Sequence, residues 1–204
     1  MQEVDVLLDI AMLLLGVILT AGTFVFVSAE FSLVALDQAV VESRAAAGDA
    51  RARQVSTAIK NLSTQLSGAQ VGITLTTILL GYTTQSALAD MLTSLGAGVG
   101  ISTAVSSAVG VALAAILINV FSMVFGELVP KNLALAHPLK TAGRIVPFNT
   151  LFTIVFKPVI TVLNSSANGI LKLMGVEPQE ELSSARSASE LAAMVRHSAQ
   201  EGTL

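Results

Sequence analysis

The chain contains no cysteine and no tryptophan, has one tyrosine, and carries little charge: 12% of its 204 residues are Asp, Glu, Lys or Arg. Without cysteine there can be neither a disulfide framework nor a thiolate metal site. Soluble domains carry about 25% charged residues. Half that share leaves too little polar surface to face water, so an integral membrane protein is expected. Aromatic residues make up 4%, which makes for a thin interfacial belt. No basic cluster is interleaved with aromatics, which argues against nucleic-acid binding. The Gly-rich "GAGVG" is not followed by Lys, so it is no phosphate loop. No nucleophile stands beside a base and no His–Glu pair occurs, so no enzymatic activity is expected.

What the chain does have is apolar length: 53% hydrophobic residues and a mean hydropathy of +0.76. Residues 10–29 are uncharged and long enough to span about 30 Å of hydrocarbon. Glu3, Asp5 and Asp9 precede them where a signal peptide would need positive charge, so this reads as a retained first span. A second uncharged run, residues 62–89, is rich in Ser, Thr, Gln and Gly. A third covers residues 102–126, after the Gly-rich turn "SLGAGVG". Arg44, Arg51, Arg53 and Lys60 follow the first run, only Asp90 separates the second from the third, and Lys131, Lys140 and Arg144 follow the third. The positive-inside rule then predicts an all-α membrane protein with three transmembrane helices, N-terminus outside and C-terminus in the cytoplasm. A fourth apolar stretch, residues 145–173, is interrupted by Lys157-Pro158. A mid-membrane Lys costs on the order of 3 kcal/mol and Pro kinks a helix. This stretch is therefore read as a helix pair along the cytoplasmic face, a juxtamembrane belt. Residues 1–176 form the membrane domain and residues 177–204, with "SASELAAMVRHS" as a capped helix, a cytoplasmic linker.

On these topological grounds the polar residues converge at one depth. Ser28, Glu30 and Ser32 lie at the inner end of the first span, and Gln65, Ser67 and Gln70 in the first turns of the second. Asn119, Ser122 and Glu127 lie in the inner half of the third. Ser28 and Ser32 share a helix face, whereas Glu30 points about 200° away from Ser28. Ser67, Gln70, Thr74, Thr77 and Gly81 form a small, polar stripe best explained by close helix packing. Gly16, Ala21 and Gly22 form a second small-residue seam, suggestive of a dimer contact. Asn119 and Glu127 are about 12 Å apart along a regular helix, so one ion can reach both only through a break. Pro130 supplies one: it has no N–H, and in an α-helix that orphans the carbonyl of Gly126. A carboxylate, a free peptide oxygen and nearby hydroxyls form an all-oxygen set suited to Mg²⁺ or Ca²⁺. Both histidines, His137 and His197, lie outside the spans, which argues against Zn²⁺ or Cu. The competing reading is that Glu127 is interfacial and paired with Lys131 one turn on.

Three segments, "FVFVSAEFSLVALD", "AQVGITLTTILLGY" and "VFGELVPKNLALAHP", resemble in sequence and order the membrane domain of the CorC/CNNM family of magnesium transporters. The resemblance implies a homodimer of three-span subunits in the plasma membrane that exports Mg²⁺, driven by Na⁺ entry. ATP would act only through a cytoplasmic CBS-domain pair beyond the linker. Gly126, Glu127, Pro130 and Lys131 match the family signature, Ser28, Glu30 and Ser32 fall in the first motif, and Gln70 in the second. Asn119 comes from the polar inventory alone. The expected metal set is thus Ser28, Ser32, Asn119, Gly126 and Glu127, with Glu30 and Gln70 less central and Pro130 and Lys131 at a hinge. A Mg²⁺-binding sensor or scaffold without flux is the alternative.

Overall fold

The first three apolar runs form helical stretches longer than a bilayer requires. The computed structural model describes residues 2–176, with side chains from Leu7 onward. Helix α1 runs Gln2–Val34 and α4 Leu62–Gly98, 33 and 37 residues, or about 50 and 55 Å at 1.5 Å per residue. The third run forms α5, Thr103–Phe121, then a π-helical segment, Ser122–Leu128, then α6, Val129–Ala136. Among the described residues two stretches are long and apolar enough to cross a membrane, Leu7–Val34 and Thr103–Ala136, and the bent pair Pro138–Val155 and Lys157–Leu173 would make a third if it counted as one span. Helix α4 has the length, but its Ser, Thr, Gln and Gly dilute its apolarity.

The sequence of contacts sets the topology. Thr84 Oγ1 donates to the Met12 carbonyl at 3.0 Å, and Thr23 and Thr76 share a hydroxyl bond of 2.8 Å. The backbone of Gly16 lies against Thr84, that of Gly22 against Thr76, and that of Gly72 against the Phe26 ring. Numbers rise on α1 as they fall on α4, so the two helices are antiparallel. Gly96 against Ser106 and Gly110 against Thr93 make α4 and α5 antiparallel as well. Gly100, at φ +87°, turns the chain between them, a left-handed conformation that costs glycine nothing. Small residues let these backbones approach closely. The seam expected to serve a dimer is therefore used within the subunit: Gly16 and Gly22 face α4, and only Ala21 is exposed. The polar stripe of α4 is also corrected. Gln70, Thr74, Thr77 and Gly81 are exposed, and the packed face is Gln65, Gly68, Ala69, Gly72, Leu80 and Thr84.

At the basic end, two short helices follow α1: α2, Gln38–Ala46, and α3, Ala50–Ile59. Asp37 accepts from the Ala39 and Val40 amides at 2.8 and 3.3 Å, and Asp49 from those of Arg51 and Ala52 at 2.9 and 3.2 Å. Each satisfies two of the amides that a helix start leaves open. Their apolar faces close a core of Leu33, Val41, Val55, Ala58, Ala142 and Val146.

The fourth stretch is a helix pair, α7 (Pro138–Val155) and α8 (Lys157–Leu173), bent by 80° at Phe156, next to Lys157-Pro158. Helix α7 packs on α1, α3 and α4. Phe152 and Phe148 pack on Phe26, with ring centroids 4.6 and 5.7 Å apart. The buried Asn149 donates to the Gln65 side chain at 2.8 Å. The expected linker, residues 177–204, lies outside the described residues.

Candidate cation site

The acidic segment of the third run is where its helix changes pitch. Across Ser122–Leu128 the ladder steps back five residues, and the Val129 amide donates to the Val124 carbonyl. Pro130, fully buried, cannot donate the next bond. Pro130 already belongs to α6, whose α ladder would give that bond the Gly126 carbonyl as acceptor. π segments are rare and concentrate at functional sites. They also turn side chains relative to an α-helix, so the spacing of Asn119 and Glu127 is no longer that of a regular helix.

Gly126 is buried against α1: a Cβ there would stand 3.3 Å from Thr23 Cγ2 and 3.5 Å from Ser122 Oγ. Thr23 against Gly126 and Phe31 against Lys131 rise together, so α1 and the third run are parallel. The Lys131 ammonium sits 4.8 Å from the Phe31 ring centre. That cation–π contact replaces the pairing with Glu127 that an interfacial reading would require. Glu127 itself is exposed, as are Val124, Phe125, Leu128 and Val129 around it.

The other expected donors divide. Ser28 and Ser32 are fully buried on one face of α1. Ser32 donates to the Ala29 carbonyl at 3.2 Å, while the Ser28 hydroxyl has no partner. Asn119 is exposed, and its Nδ2 donates to the Ala115 carbonyl at 2.7 Å. Glu30 is half-buried, with the Gln70 side chain beside its carboxylate, so these two do meet. Gly126, Thr23 and Ser122 are brought together, whereas Asn119 and Glu127 are on exposed surface. Among the described residues no three His, Asp or Glu side chains gather. Such a site would rest on neutral oxygens with few charges.

A family model described as the Cyclin M transmembrane N-terminal domain, CNNM, matches residues 14–204. The chain belongs to the CNNM transmembrane-domain family. Together with the two long apolar helices, this makes it a membrane protein. Among curated relatives, UPF0053 protein MT1890 of Mycobacterium tuberculosis is 46% identical over 96% of this chain and 43% of its own length. Uncharacterized protein Rv1841c of the same species is 36% identical over 94% and 54%. UPF0053 protein YhdT of Bacillus subtilis is 33% identical over 100% and 43%. The CNNM chain thus spans about half the length of the curated relatives it matches.

Sequence reasoning missed three polar features of this CNNM domain. The Gln65–Asn149 pair joins residues far apart in the chain, and periodicity carries no signal for it. The π step was hidden because only Pro130 hints at it. The third is a cleft beside Ser28, lined by His137, Lys140, Thr141 and Arg144; the 137, 140, 141, 144 spacing was a readable sign of one helix face.

Proposed function

We propose that this chain is the membrane part of a Mg²⁺ transporter that exports the ion across the plasma membrane in exchange for Na⁺ entry, working as a homodimer. The observation that carries the reading is Glu127. It stands exposed on a π turn whose neighbouring side chains are apolar and exposed. A carboxylate facing hydrocarbon costs roughly 3 kcal/mol; a wet cavity, a cation or a second subunit removes that cost. Glu127 supplies charge. Asn119, Ser32 and the peptide oxygens of the Gly126 turn supply neutral donors of the hard type that Mg²⁺ prefers. Ser28 offers an unpartnered hydroxyl, although its basic neighbours must draw back before a dication can use it.

In this reading α1, α4 and the third run are three crossings with the N-terminus outside, and α2, α3, α7 and α8 form the cytoplasmic belt. The π turn and Pro130 act as a hinge that opens the site to either side, as in other transporters with a central site. Export must be driven. Moving a dication out against 100 mV, inside negative, costs about 4.6 kcal/mol, which Na⁺ entry would offset. Control by ATP would come through the CBS-domain pair that the family resemblance implies beyond the linker.

The test is flux. Proteoliposomes enclosing a Mg²⁺-sensitive dye should show Mg²⁺ movement that depends on a Na⁺ gradient, and Glu127→Gln should abolish it. Equal flux in that variant would contradict the assignment. A wild-type chain that binds Mg²⁺ but moves none would be a sensor or scaffold.

A further inference from the structure

We propose that the cleft at the start of α7 binds a phosphate-bearing anion, and that an acidic phospholipid headgroup supplies it. The cleft, about 210 Å³, is formed by Phe24 and Ser28 of α1, Leu133 at the end of the third run, His137, and one face of α7. His137, Lys140, Thr141 and Arg144 follow an i, i+3, i+4, i+7 pattern, so two turns point one way. Three of these four are basic or can become so, and no acidic side chain lines the cleft. Lys140 and Arg144, both lining the cleft, repel each other, and an anion between them relieves that repulsion.

Two further observations point to an occupant. Ser28 lines the cleft from α1, fully buried, and its hydroxyl has no hydrogen-bond partner. Such an orphan is costly, and an anion drawn deeper into the cleft would satisfy it. Helix α7 has 18 residues and begins at Pro138 with no side-chain cap from His137. Pro138 has no N–H and the His137 and Thr141 amides are bonded to the Leu133 and His137 carbonyls, which leaves the Leu139 and Lys140 amides and the positive end of the dipole for an anion. Phosphate suits this donor set better than carboxylate, because several oxygens can meet Lys, Arg, hydroxyl and amide together.

The remaining walls argue for lipid as the source. Phe24, Leu133 and Ile145 are apolar, and Val129, one turn before Leu133, continues an exposed apolar track along α6 on which acyl chains can lie. The cleft stands where the uncharged part of α1 ends and the basic end begins. Basic pockets between membrane helices on the cytoplasmic side bind anionic headgroups. This lipid site takes its cytoplasmic orientation from the proposed function and shares Ser28 with the donor set there, but it does not depend on Mg²⁺ flux.

The experiment is thermal unfolding of the 204-residue chain in neutral detergent, titrated separately with phosphatidylglycerol, phosphatidylcholine and inorganic phosphate. Phosphatidylglycerol should raise the midpoint, phosphatidylcholine should not, and 0.5 M salt should weaken the effect. Lys140→Gln/Arg144→Gln should weaken the apparent affinity on the order of tenfold. Lys157→Gln/Lys172→Gln, outside the cleft, should leave it unchanged. Both pairs are exposed, and an unaltered midpoint without additive shows that each variant folds. Should the cleft pair unfold, Arg144→Gln alone repeats the comparison. Protection by inorganic phosphate but not by phosphatidylglycerol, lost in the cleft variant, would keep the anion site and overturn the lipid source. Protection by neither, or equal protection of wild type and cleft variant, would overturn the proposal.

Discussion

Gly72→Ala is the sharpest probe of how α1 and α4 meet. A Cβ at position 72 would stand 2.6 Å from three carbons of the Phe26 ring, against about 3.5–4.0 Å for an ordinary contact. About 1 Å of separation must be found. The ring cannot swing away: Phe26 is 3% exposed and is held by Phe148 and Phe152. The helices must part instead, which stretches the Thr23–Thr76 bond of 2.8 Å one turn away. Overpacking of this kind costs about 1–3 kcal/mol, partly offset by the 0.5–1 kcal/mol that Ala gains over Gly in a helix. For about 1 kcal/mol net, the midpoint of thermal unfolding should fall by about 2–4 °C. Gly81 is the control. It lies in the same helix, and a Cβ there would meet nothing within 4 Å, so Gly81→Ala should leave the midpoint unchanged or raise it slightly. If the two variants behave alike in detergent-solubilised protein, the α1–α4 contact described here is wrong.

Three other outcomes follow from the same geometry. Asn149→Ala removes the donor that reaches the Gln65 carboxamide at 2.8 Å and the Gln65 peptide oxygen at 3.2 Å; unfolding should become easier by about 1–3 kcal/mol, read by denaturant titration. Asp49→Ala deletes the two cap bonds at the start of α3 and should cost about 1 kcal/mol, with faster amide exchange at Arg51 and Ala52 while Asp37-capped α2 keeps its protection. Lys131→Met removes the cation above Phe31, an effect of about 0.5–1 kcal/mol at an exposed site; because that ammonium is not held by Glu127, the loss should persist in a Glu127→Gln background.

Much of the architecture was legible because hydrocarbon imposes length. The uncharged runs at residues 10–29 and 102–126 fall within α1 and the third run, and Lys157-Pro158 marks the bend between α7 and α8. The faces were less legible. The stripe from Ser67 to Gly81 has the spacing of a packed face, but spacing only says that residues share a side, not which side meets a neighbour. Gly16 and Gly22 likewise announced a close contact without naming α4 as the partner. At the candidate site, Pro130 led to the expectation of a break beside Glu127, whereas the helix runs on from Thr103 to Ala136 and only its ladder changes, to a π segment over Ser122–Leu128. That change of ladder could not be read, because a π ladder and an α ladder differ by one residue and both tolerate the same composition. The basic cleft was masked for a different reason: Lys140 and Arg144 follow the third run, where the positive-inside rule alone accounts for them.

The central claim is that a dication binds where the π turn presents Glu127. Crystals grown with Mn²⁺ in place of Mg²⁺ and measured at the manganese edge test it most directly. The account predicts an anomalous peak within coordination distance of the Glu127 carboxylate, lost in Glu127→Gln. A peak at Glu30 and Gln70 instead, or none with Mn²⁺ bound in solution, would contradict it.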